Sequence, residues 1–381
     1  MIINIASFGG RTHLLDTARE LSRQGNIVRF YSYVPTKRAI KYGLPAECNY
    51  SILWFAWPYL IWMKLFGFGG IGTYLYFRFC DWFLSIYMKP CDVFIGQSPM
   101  HNYSIRYAKK KYNAFTILER GAAHILEYKK QVGGNPIYKR KPFQQDFIIK
   151  YDLAGYQIPD YISVGCDYAK YSFIQNGYLK DNIFVNNYGF DRTQFSCTIL
   201  GENPYDLIYV GRWSYNKGCD LLVEACRKMN YKLLHVGSIS DMKFPAMKNL
   251  THIDPVEQYK LRDYYSRAKV FVLPSRTEGF GMVLFQAAAC GLPIVCSKFT
   301  GGADIRKYAI SDNWIITMID FSADSLIESI EKALALANKQ HGIRNYLKDN
   351  FTEASWEGYG RRYNEFLNSL IGNRSTVQKH Y

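Results

Sequence analysis

Two glycine-bounded loops in the C-terminal half of the chain carry the residues best suited to binding a phosphate group. The first loop runs from Gly211 to Gly218 and contains Arg212 and Lys217, and the second runs from Ser275 to Gly281. Cationic side chains bind phosphate through charge-assisted hydrogen bonds, and backbone N–H groups bind it at a helix N-terminus that is reached through glycines. Two isolated surface charges are the alternative for Arg212 and Lys217, but the second loop favours a shared anion site.

Each of these loops lies between a predicted strand and a predicted helix. Asp206 to Val210 and Val270 to Leu273 are short apolar runs typical of buried strands, and Pro274 ends the second one. Helical patterns follow at Cys219 to Met229 and at Met282 to Cys290. Each loop thus leads from a strand into a helix, and Arg212 and Lys217 are expected to converge on the same anion.

The order and spacing of these residues resemble glycosyltransferase family 4, among the group 1 transferases. The match consists of Gly211-Arg212, then Lys217-Gly218, then Glu278-Gly279-Phe280-Gly281 with a helix of small residues behind it. The resemblance covers most of the C-terminal half, whereas in the N-terminal half only the opening unit and Asn187 to Asp191 look familiar. It implies an α/β protein of GT-B fold, in which two Rossmann-like, doubly wound parallel-sheet domains face a central cleft. It also implies transfer of a hexose from a nucleotide diphosphate sugar, with retention at the anomeric carbon.

The resemblance further implies roles for individual residues around that cleft. Glu278 would contact the donor sugar, although an ordinary helix cap, worth about 1 kcal/mol, is the alternative. Gln286 stands where the family usually has a second Glu that holds the ribose hydroxyls. An amide there lacks the charge assistance that roughly doubles the strength of such a hydrogen bond, so weaker donor binding is expected. The predicted donor-binding residues are Gly9, Gly10, Gly211, Gly237, Ser238, Gly279, Phe280, Gly281, Met282, Val283 and Gln286.

Further candidates follow the predicted strand Phe115 to Leu118. Family members commonly place a histidine near this strand end, close to the reacting sugar, and here Arg120 comes first and His124 lies a few residues on. His124 is predicted to reach the cleft, with a purely structural role as the alternative. Arg120 is predicted to line the cleft or to bind an acceptor phosphate. The predicted catalytic residues are Glu278, Arg212, Lys217 and His124.

Fixed cations are expected to take the place of a metal ion. The chain has no Asp-x-Asp pair, and none of its seven histidines has His-x-x-x-His spacing. When a sugar leaves a nucleotide diphosphate, the growing phosphate charge can be stabilised by cationic side chains and a helix N-terminus. The sequence therefore predicts no metal and no other cofactor, with the nucleotide diphosphate sugar as donor substrate.

The positive charge is concentrated in the N-terminal half of the chain. Residues 1–150 hold 21 Lys and Arg against 8 Asp and Glu, which accounts for +13 of the net charge of +15. The basic clusters are Lys109-Lys110-Lys111, Lys129-Lys130 and Lys139-Arg140-Lys141. Clusters of this kind are attracted to anionic membrane surfaces.

The most apolar segment, Ser51 to Met88, precedes these clusters in the same half of the chain and contains Trp54, Trp57 and Trp62. A bilayer span needs roughly 20 apolar residues in one helix, and this segment is interrupted too often to supply them. A short aromatic segment beside lysines is suited to an anionic membrane interface. The alternative is a helix pair packed in the core. The interface interpretation predicts a membrane-proximal or lipid-linked glycan acceptor, as in surface polysaccharide biosynthesis.

The length of 381 residues allows two domains, each with its own core, and the hydrophobic content of 48% excludes disorder. Strands alternate with helices in both halves, which predicts parallel sheets. Residues 1–190 are expected to form an acceptor-binding domain, residues 191–354 a nucleotide-sugar domain, and residues 355–370 a helix that packs back on the first domain. Nine cysteines without a C-x-x-C pair, and no recognisable signal peptide, predict a reduced cytoplasmic protein at the inner face of the membrane.

Two other classes of function fit the sequence less well. A catalytically weak GT-B-like subunit that only binds the nucleotide sugar is the alternative favoured by Gln286. A nucleic-acid binder is disfavoured, because the lysine runs lie beside an apolar segment and no recognisable nucleic-acid module accompanies them.

Overall fold

The computed structural model describes residues 1–8, 12–66, 70–133, 142–196, 204–339 and 351–377. These residues form two parallel sheets, one in each half of the chain. The predicted Gly9 and Gly10 and the basic cluster at residues 139–141 lie outside the described residues.

The first sheet has seven parallel strands in the order β3-β2-β1-β4-β5-β6-β7. The strands are β1 (Ile2–Ser7), β2 (Ile27–Ser32), β3 (Asn49–Ser51), β4 (Val93–Gln97), β5 (Phe115–Arg120), β6 (Tyr161–Val164) and β7 (Ile183–Val185). The strand order reverses between β1 and β4, so the carboxyl ends of these two strands border a crevice.

Helices connect these strands, as parallel pairing requires. They are α1 (His13–Arg23), α2 (Thr36–Lys41), α3 (Leu53–Phe66), α4 (Gly70–Tyr87), α5 (Asn102–Tyr112), α6 (Ile125–Val132), α7 (Pro142–Tyr156) and α8 (Asp167–Ile174). Thr12 begins α1, because its hydroxyl accepts a hydrogen bond from the Leu14 N–H group. Leu14, Leu15 and Leu21 of α1 are fully buried, so this helix closes one side of the first core.

The second sheet has six parallel strands in the order β10-β9-β8-β11-β12-β13. The strands are β8 (Tyr205–Val210), β9 (Leu233–Val236), β10 (Leu250–Ile253), β11 (Ala268–Leu273), β12 (Ile294–Cys296) and β13 (Ile315–Thr317). The helices are α9 (Cys219–Met229), α10 (Leu261–Tyr265), α11 (Met282–Ala289), α12 (Gly302–Ile305) and α13 (Ala323–Asn338). The strand order reverses between β8 and β11, and the two motif loops follow these two strands. The two loops therefore lie at the same edge of this sheet.

The last helix, α14 (Trp356–Val377), returns to the first domain and packs against α1. The Tyr359 hydroxyl hydrogen-bonds the Thr17 hydroxyl at 3.0 Å, and the Tyr363 hydroxyl donates to Glu119 Oε2 at 3.2 Å. The chain crosses between the domains twice at neighbouring points, since the Phe190 N–H group donates to the Ala354 carbonyl. The GT-B architecture predicted from the sequence is confirmed by these two doubly wound sheets.

Candidate active site

An ion pair between Lys217 and Glu278 lies at the point where the order of the second sheet reverses. Lys217 ends a short 3₁₀ turn after β8, and Glu278 lies in the loop between β11 and α11. The Lys217 ammonium donates to Glu278 Oε1, and the Ser275 hydroxyl donates to the same oxygen at 2.8 Å. The lysine side chain keeps 24% of its surface exposed, and the carboxylate side chain keeps 10%. The two motif residues thus form an ion pair that is partly shielded from water but still accessible to a ligand.

Backbone contacts join the two loops on either side of Lys217. The Arg276 N–H group donates to the Asn216 carbonyl at 2.8 Å. Gly218 has a φ of +71°, and a Cβ atom there would lie 1.9 Å from the Pro274 carbonyl oxygen. Only glycine fits so close an approach. The glycine after Lys217 therefore lets the first loop lie directly on the second.

Arg212 lies at the surface, directly after β8 and Gly211. Its carbonyl accepts a hydrogen bond from the Tyr209 hydroxyl at 2.7 Å, which fixes the backbone. The side chain is exposed, and in the described part of the chain no carboxylate forms an ion pair with it. The guanidinium is thus accessible to an anion, and its predicted phosphate contact stays a prediction.

The N-terminus of α11 is built on Gly281, which has a φ of +87°. Met282 is exposed at its start and Val283 is half-buried, whereas Phe280 is buried against Tyr188 with ring centroids 5.9 Å apart. The Phe280 side chain is therefore part of the core between the domains, so only its backbone is placed to meet a ligand.

Gln286 lies one turn into α11 and is buried. Its side-chain oxygen accepts a hydrogen bond from the Tyr265 hydroxyl at 3.2 Å. Gln286 also lines a cavity of about 150 Å³ together with Thr12, His13 and Met282. This amide is therefore anchored on one side and faces a cavity between the domains on the other.

Gly211 and Gly237 bring the loops after β8 and β9 together. Both have positive φ angles, +147° and +150°, and a Cβ atom on Gly237 would lie 2.0 Å from the Gly211 carbonyl oxygen. The same carbonyl lies 2.9 Å from His235 Nε2, so this nitrogen carries the proton and donates. Ser238 is exposed beyond them, and its carbonyl accepts from the Trp213 N–H group at 2.7 Å. These glycines therefore shape the edge of the site, and Ser238 is accessible there.

His124 is buried, and the structure gives it a helix-capping role. Its Nδ1 accepts a hydrogen bond from the Leu126 N–H group at 3.3 Å, and its ring packs against Tyr156 and Phe173. Burial, helped by the charge of Arg120, lowers the pKa of His124 to about 4. The ring is therefore neutral near pH 7. The packing supports the structural alternative, and the predicted catalytic role remains untested.

Arg120 is buried as well, and its charge is already paired. Its guanidinium donates to Asp152 at 2.9 Å and to the Ser98 hydroxyl at 3.2 Å. Asp152 is only 1% exposed, so this is a buried ion pair that holds α7 to the end of β5. A paired guanidinium has little capacity left for an acceptor phosphate, and the structure does not favour the role predicted for Arg120.

The structure reveals a histidine–glutamate pair at the site that the sequence did not indicate. His13 Nε2 lies 3.1 Å from Glu119 Oε1, and the His13 ring packs on Tyr188 with centroids 4.4 Å apart. The two residues are 106 positions apart in the chain. Only the strand order brings them together, since β1 and β5 lie on either side of β4. No local sequence signal therefore exists for the pair.

The first domain also contacts the loop that carries Glu278. The Tyr168 hydroxyl hydrogen-bonds the Thr277 hydroxyl at 3.3 Å, and the Cys166 thiol donates to the Gly279 carbonyl at 2.9 Å. A Cβ atom on Gly279 would lie 2.0 Å from the Gly121 carbonyl oxygen. The residues on both sides of Glu278 thus contact the first domain, and the site is enclosed by both sheets.

Known proteins share both the sequence pattern and the fold. The family model "Glycosyl transferases group 1" matches residues 192–350. The capsular polysaccharide biosynthesis glycosyltransferase CapM of Staphylococcus aureus is 27% identical over 257 residues, which are 58% of this chain and 65% of CapM. The chain spans only part of the length of the curated relatives that it matches. The matched region is 52% of one relative and 65% of CapM.

Solved structures match over almost the entire chain. Sucrose-phosphate synthase from Thermosynechococcus elongatus superposes with a TM-score of 0.70 at 15% identity, covering 98% of this chain and 100% of that one. Anabaena Alr3699/HepE, solved in complex with UDP-glucose, superposes with a TM-score of 0.62 at 12% identity, covering 97% of this chain and 100% of that one. At these identities the similarity concerns the fold. Residues 192–350 thus match the group 1 glycosyltransferase family, and the relatives and the paired motif loops agree with that match.

Proposed function

We propose that this protein transfers a hexose from a nucleotide diphosphate sugar to a glycan acceptor, with retention at the anomeric carbon. The observation that carries this proposal is the Lys217–Glu278 pair at the reversal point of the second sheet. Ligands of open α/β sheets bind at such a point. The ammonium would stabilise the charge that grows on the leaving diphosphate, and the carboxylate would accept hydrogen bonds from sugar hydroxyls.

The donor class follows from the chemistry of this pair. A cation binds the diphosphate, while a carboxylate next to it binds hydroxyl groups, and a nucleotide diphosphate sugar presents both side by side. The structural neighbour HepE was solved with UDP-glucose, which supports a nucleotide diphosphate hexose as donor. Retention rests on the resemblance to family 4.

Fixed positive groups are proposed to replace a metal ion in this reaction. Lys217, the exposed Arg212 and the N–H groups at the start of α11 would together surround the leaving diphosphate. A helix N-terminus adds the equivalent of about half a positive charge. Activity is therefore expected to persist in EDTA, and a loss that magnesium or manganese restores would contradict this part of the proposal.

A membrane-proximal or lipid-linked acceptor is proposed from the surface of α3 and α4. Three tryptophans of α3 are each more than half exposed, Trp54 at 62%, Trp57 at 54% and Trp62 at 53%. Trp82 of α4 is exposed by 50%. Ala56 of α3 is buried, and so are Cys80 and Leu84 of α4, so the pair is attached to the core and still presents an aromatic face to its surroundings. Trp is enriched at membrane interfaces because its ring is apolar and its N–H group is polar.

Positive charge lies on α5, the helix that packs against α4. Asp81 of α4 accepts hydrogen bonds from the N–H groups of Tyr103 and Ser104, which fixes the start of α5 against α4. The last turn of α5 carries Lys109, Lys110 and Lys111. Among the described residues, no helix has the length and apolarity needed to cross a bilayer. We therefore propose adsorption to an anionic surface without insertion of a spanning helix.

The proposed location is the cytoplasmic face of the membrane, and the proposed process is surface polysaccharide biosynthesis. The eight described cysteines are free thiols, all buried, which fits a reducing compartment. The relative CapM is named for capsular polysaccharide biosynthesis, which supports a glycan acceptor of this class.

Turnover of a panel of UDP-, ADP- and GDP-hexoses by the purified protein tests the proposal. Release of the nucleotide diphosphate, with transfer that depends on added glycan acceptor, is the expected result. The alternative is a catalytically weak binding subunit, which the Gln286 amide favours because it replaces a carboxylate. Tight donor binding with no turnover on any acceptor would select that alternative.

A further inference from the structure

Arg276 is buried beside the turn that carries Lys217, and it makes contacts to three segments of the second domain. Its guanidinium donates through Nη1 and Nη2 to the two carboxylate oxygens of Asp220, each at 2.7 Å. Nη1 also donates to the Tyr215 carbonyl. The guanidinium carbon lies 3.5 Å from the centre of the Tyr215 ring and 4.7 Å from that of Phe321.

These contacts use the properties that distinguish arginine from lysine. The planar fork matches the two oxygens of the Asp220 carboxylate, and its faces stack on the rings of Tyr215 and Phe321. Because Asp220 neutralises the charge, Arg276 is not a ligand for the donor diphosphate. Its side chain instead links the 3₁₀ turn, the first turn of α9 and the loop before α13.

The linked turn is the one that presents Lys217. The Arg276 N–H group holds the Asn216 carbonyl, and the Lys217 N–H group donates to the Ser214 carbonyl at 3.1 Å. The Lys217 side chain then extends to Glu278, two residues beyond Arg276. The position of the ammonium relative to the carboxylate therefore depends on how firmly Arg276 holds the turn.

We infer that Arg276 is a positioning residue for the transfer reaction, acting through Asp220 and Tyr215 on Lys217. The inference rests on the function proposed above for Lys217. A displacement of about 1 Å in a reacting group can lower a rate by roughly 100-fold. Arg276 prevents such a displacement, although it touches neither the donor nor the acceptor.

The first test compares Arg276→Met, Arg276→Lys and a control, Arg306→Met, in the full chain. Arg306 is a suitable control because its guanidinium also holds backbone of the second domain, donating to the Ile315 carbonyl at 3.1 Å and to the Thr317 hydroxyl at 2.9 Å. Both Met variants are expected to unfold at lower temperature. Only Arg276→Met is expected to lose kcat/KM for the donor, by roughly tenfold or more, since it misplaces a charge that acts in the transition state.

The division between kcat and KM separates positioning from a general loss of stability. In Arg276→Met, kcat should fall by a larger factor than KM rises, because the leaving diphosphate carries more charge in the transition state than in the bound donor. Arg276→Lys should recover part of the loss, because it restores the charge opposite Asp220 without the fork. Equal kcat/KM in Arg276→Met and the wild type, or an equal loss in Arg306→Met, would overturn the inference.

Hydrogen exchange supplies a second measurement that needs no turnover. The N–H groups of Lys217 and Gly218 are hydrogen-bonded within the turn, at 3.1 and 3.0 Å. They should exchange faster in Arg276→Met than in Arg306→Met if Arg276 holds the turn. Unchanged exchange would refute the positioning role. If exchange accelerates but the wild type neither binds nor turns over UDP-, ADP- or GDP-hexoses, the failure belongs to the proposed function.

Discussion

Lys217→Ala is expected to impair transfer strongly while leaving the fold intact. The substitution removes the ammonium that donates to Glu278 and is proposed to bind the donor diphosphate. A hydrogen bond to a charged group contributes about 1.5–3 kcal/mol, so kcat/KM should fall by roughly 10- to 150-fold. The loss of stability should be small, because the lysine side chain is partly exposed and surface ion pairs contribute about 0–1 kcal/mol.

Lys269→Ala is the matched control for this substitution. Lys269 pairs with Asp206 at 3.0 Å, and the two side chains are 34% and 26% exposed. These residues lie at the amino ends of β11 and β8, the same two strands whose carboxyl ends carry the candidate site. The control therefore breaks a comparable ion pair in the same sheet, at the edge away from the site.

Steady-state rates of nucleotide diphosphate release, measured with the donor that the panel identifies, provide the assay. Thermal unfolding of each variant checks the fold. We expect a large loss of kcat/KM in Lys217→Ala and less than a twofold change in Lys269→Ala. If folded Lys217→Ala keeps a near-normal kcat/KM, or if both variants lose it equally, the phosphate role of Lys217 is refuted.

Three further predictions concern donor affinity, membrane binding and pH. Gln286→Glu should tighten donor binding by about 1 kcal/mol, measured by calorimetric titration. A carboxylate can still accept the hydrogen bond from the Tyr265 hydroxyl, and it makes charge-assisted hydrogen bonds to the ribose hydroxyls; equal or weaker binding would contradict this. The protein should float with anionic liposomes at low salt, because each basic residue near the surface contributes about 1 kcal/mol to binding. Charge reversal of Lys109, Lys110 and Lys111 should weaken flotation, and protein that stays at the bottom of the gradient would refute membrane binding. Burial lowers the pKa of His101 to about 3. Below about pH 6.5 the unfolded chain therefore takes up a proton on His101 that the folded chain does not, so the free energy of unfolding should fall as the pH is lowered from there. His101→Phe should make this fall less steep in urea titrations. An unchanged dependence of the unfolding free energy on pH would contradict the lowered pKa.

The sequence predicted the central strands of both sheets because they are continuous apolar runs. It did not predict the edge strands β3, β10 and β13, which have only three or four residues each. β3 reads Asn49-Tyr50-Ser51, and all of its residues are half-buried, so it shows neither an apolar run nor alternation. β3 forms because β2 offers it free backbone N–H and C=O groups for pairing. The residues of β3 themselves do not indicate that pairing.

The candidate site divides in the same way between local and long-range features. The motif loops were recognised because glycine spacing and helix starts are local. The sequence predicts that Arg120 lines the cleft or binds an acceptor phosphate, because its partner Asp152 lies 32 residues further along the chain, on α7, and leaves no local signal. The His13–Glu119 and Arg276–Asp220 pairs were missed for the same reason. Their members are 106 and 56 residues apart, and only the strand order brings them into contact.

The placement of Glu278 shows how the two domains combine at the site. On one side, Lys217 and Ser275 of the second domain donate to its carboxylate. Its neighbours along the chain, Thr277 and Gly279, hydrogen-bond residues of α8 and of the loop before it. The loop that bears Glu278 is thus held by its own sheet through the side chain and by the opposite domain through the flanking residues. A change in the distance between the domains would therefore reach the carboxylate through Thr277 and Gly279, the residues on either side of it.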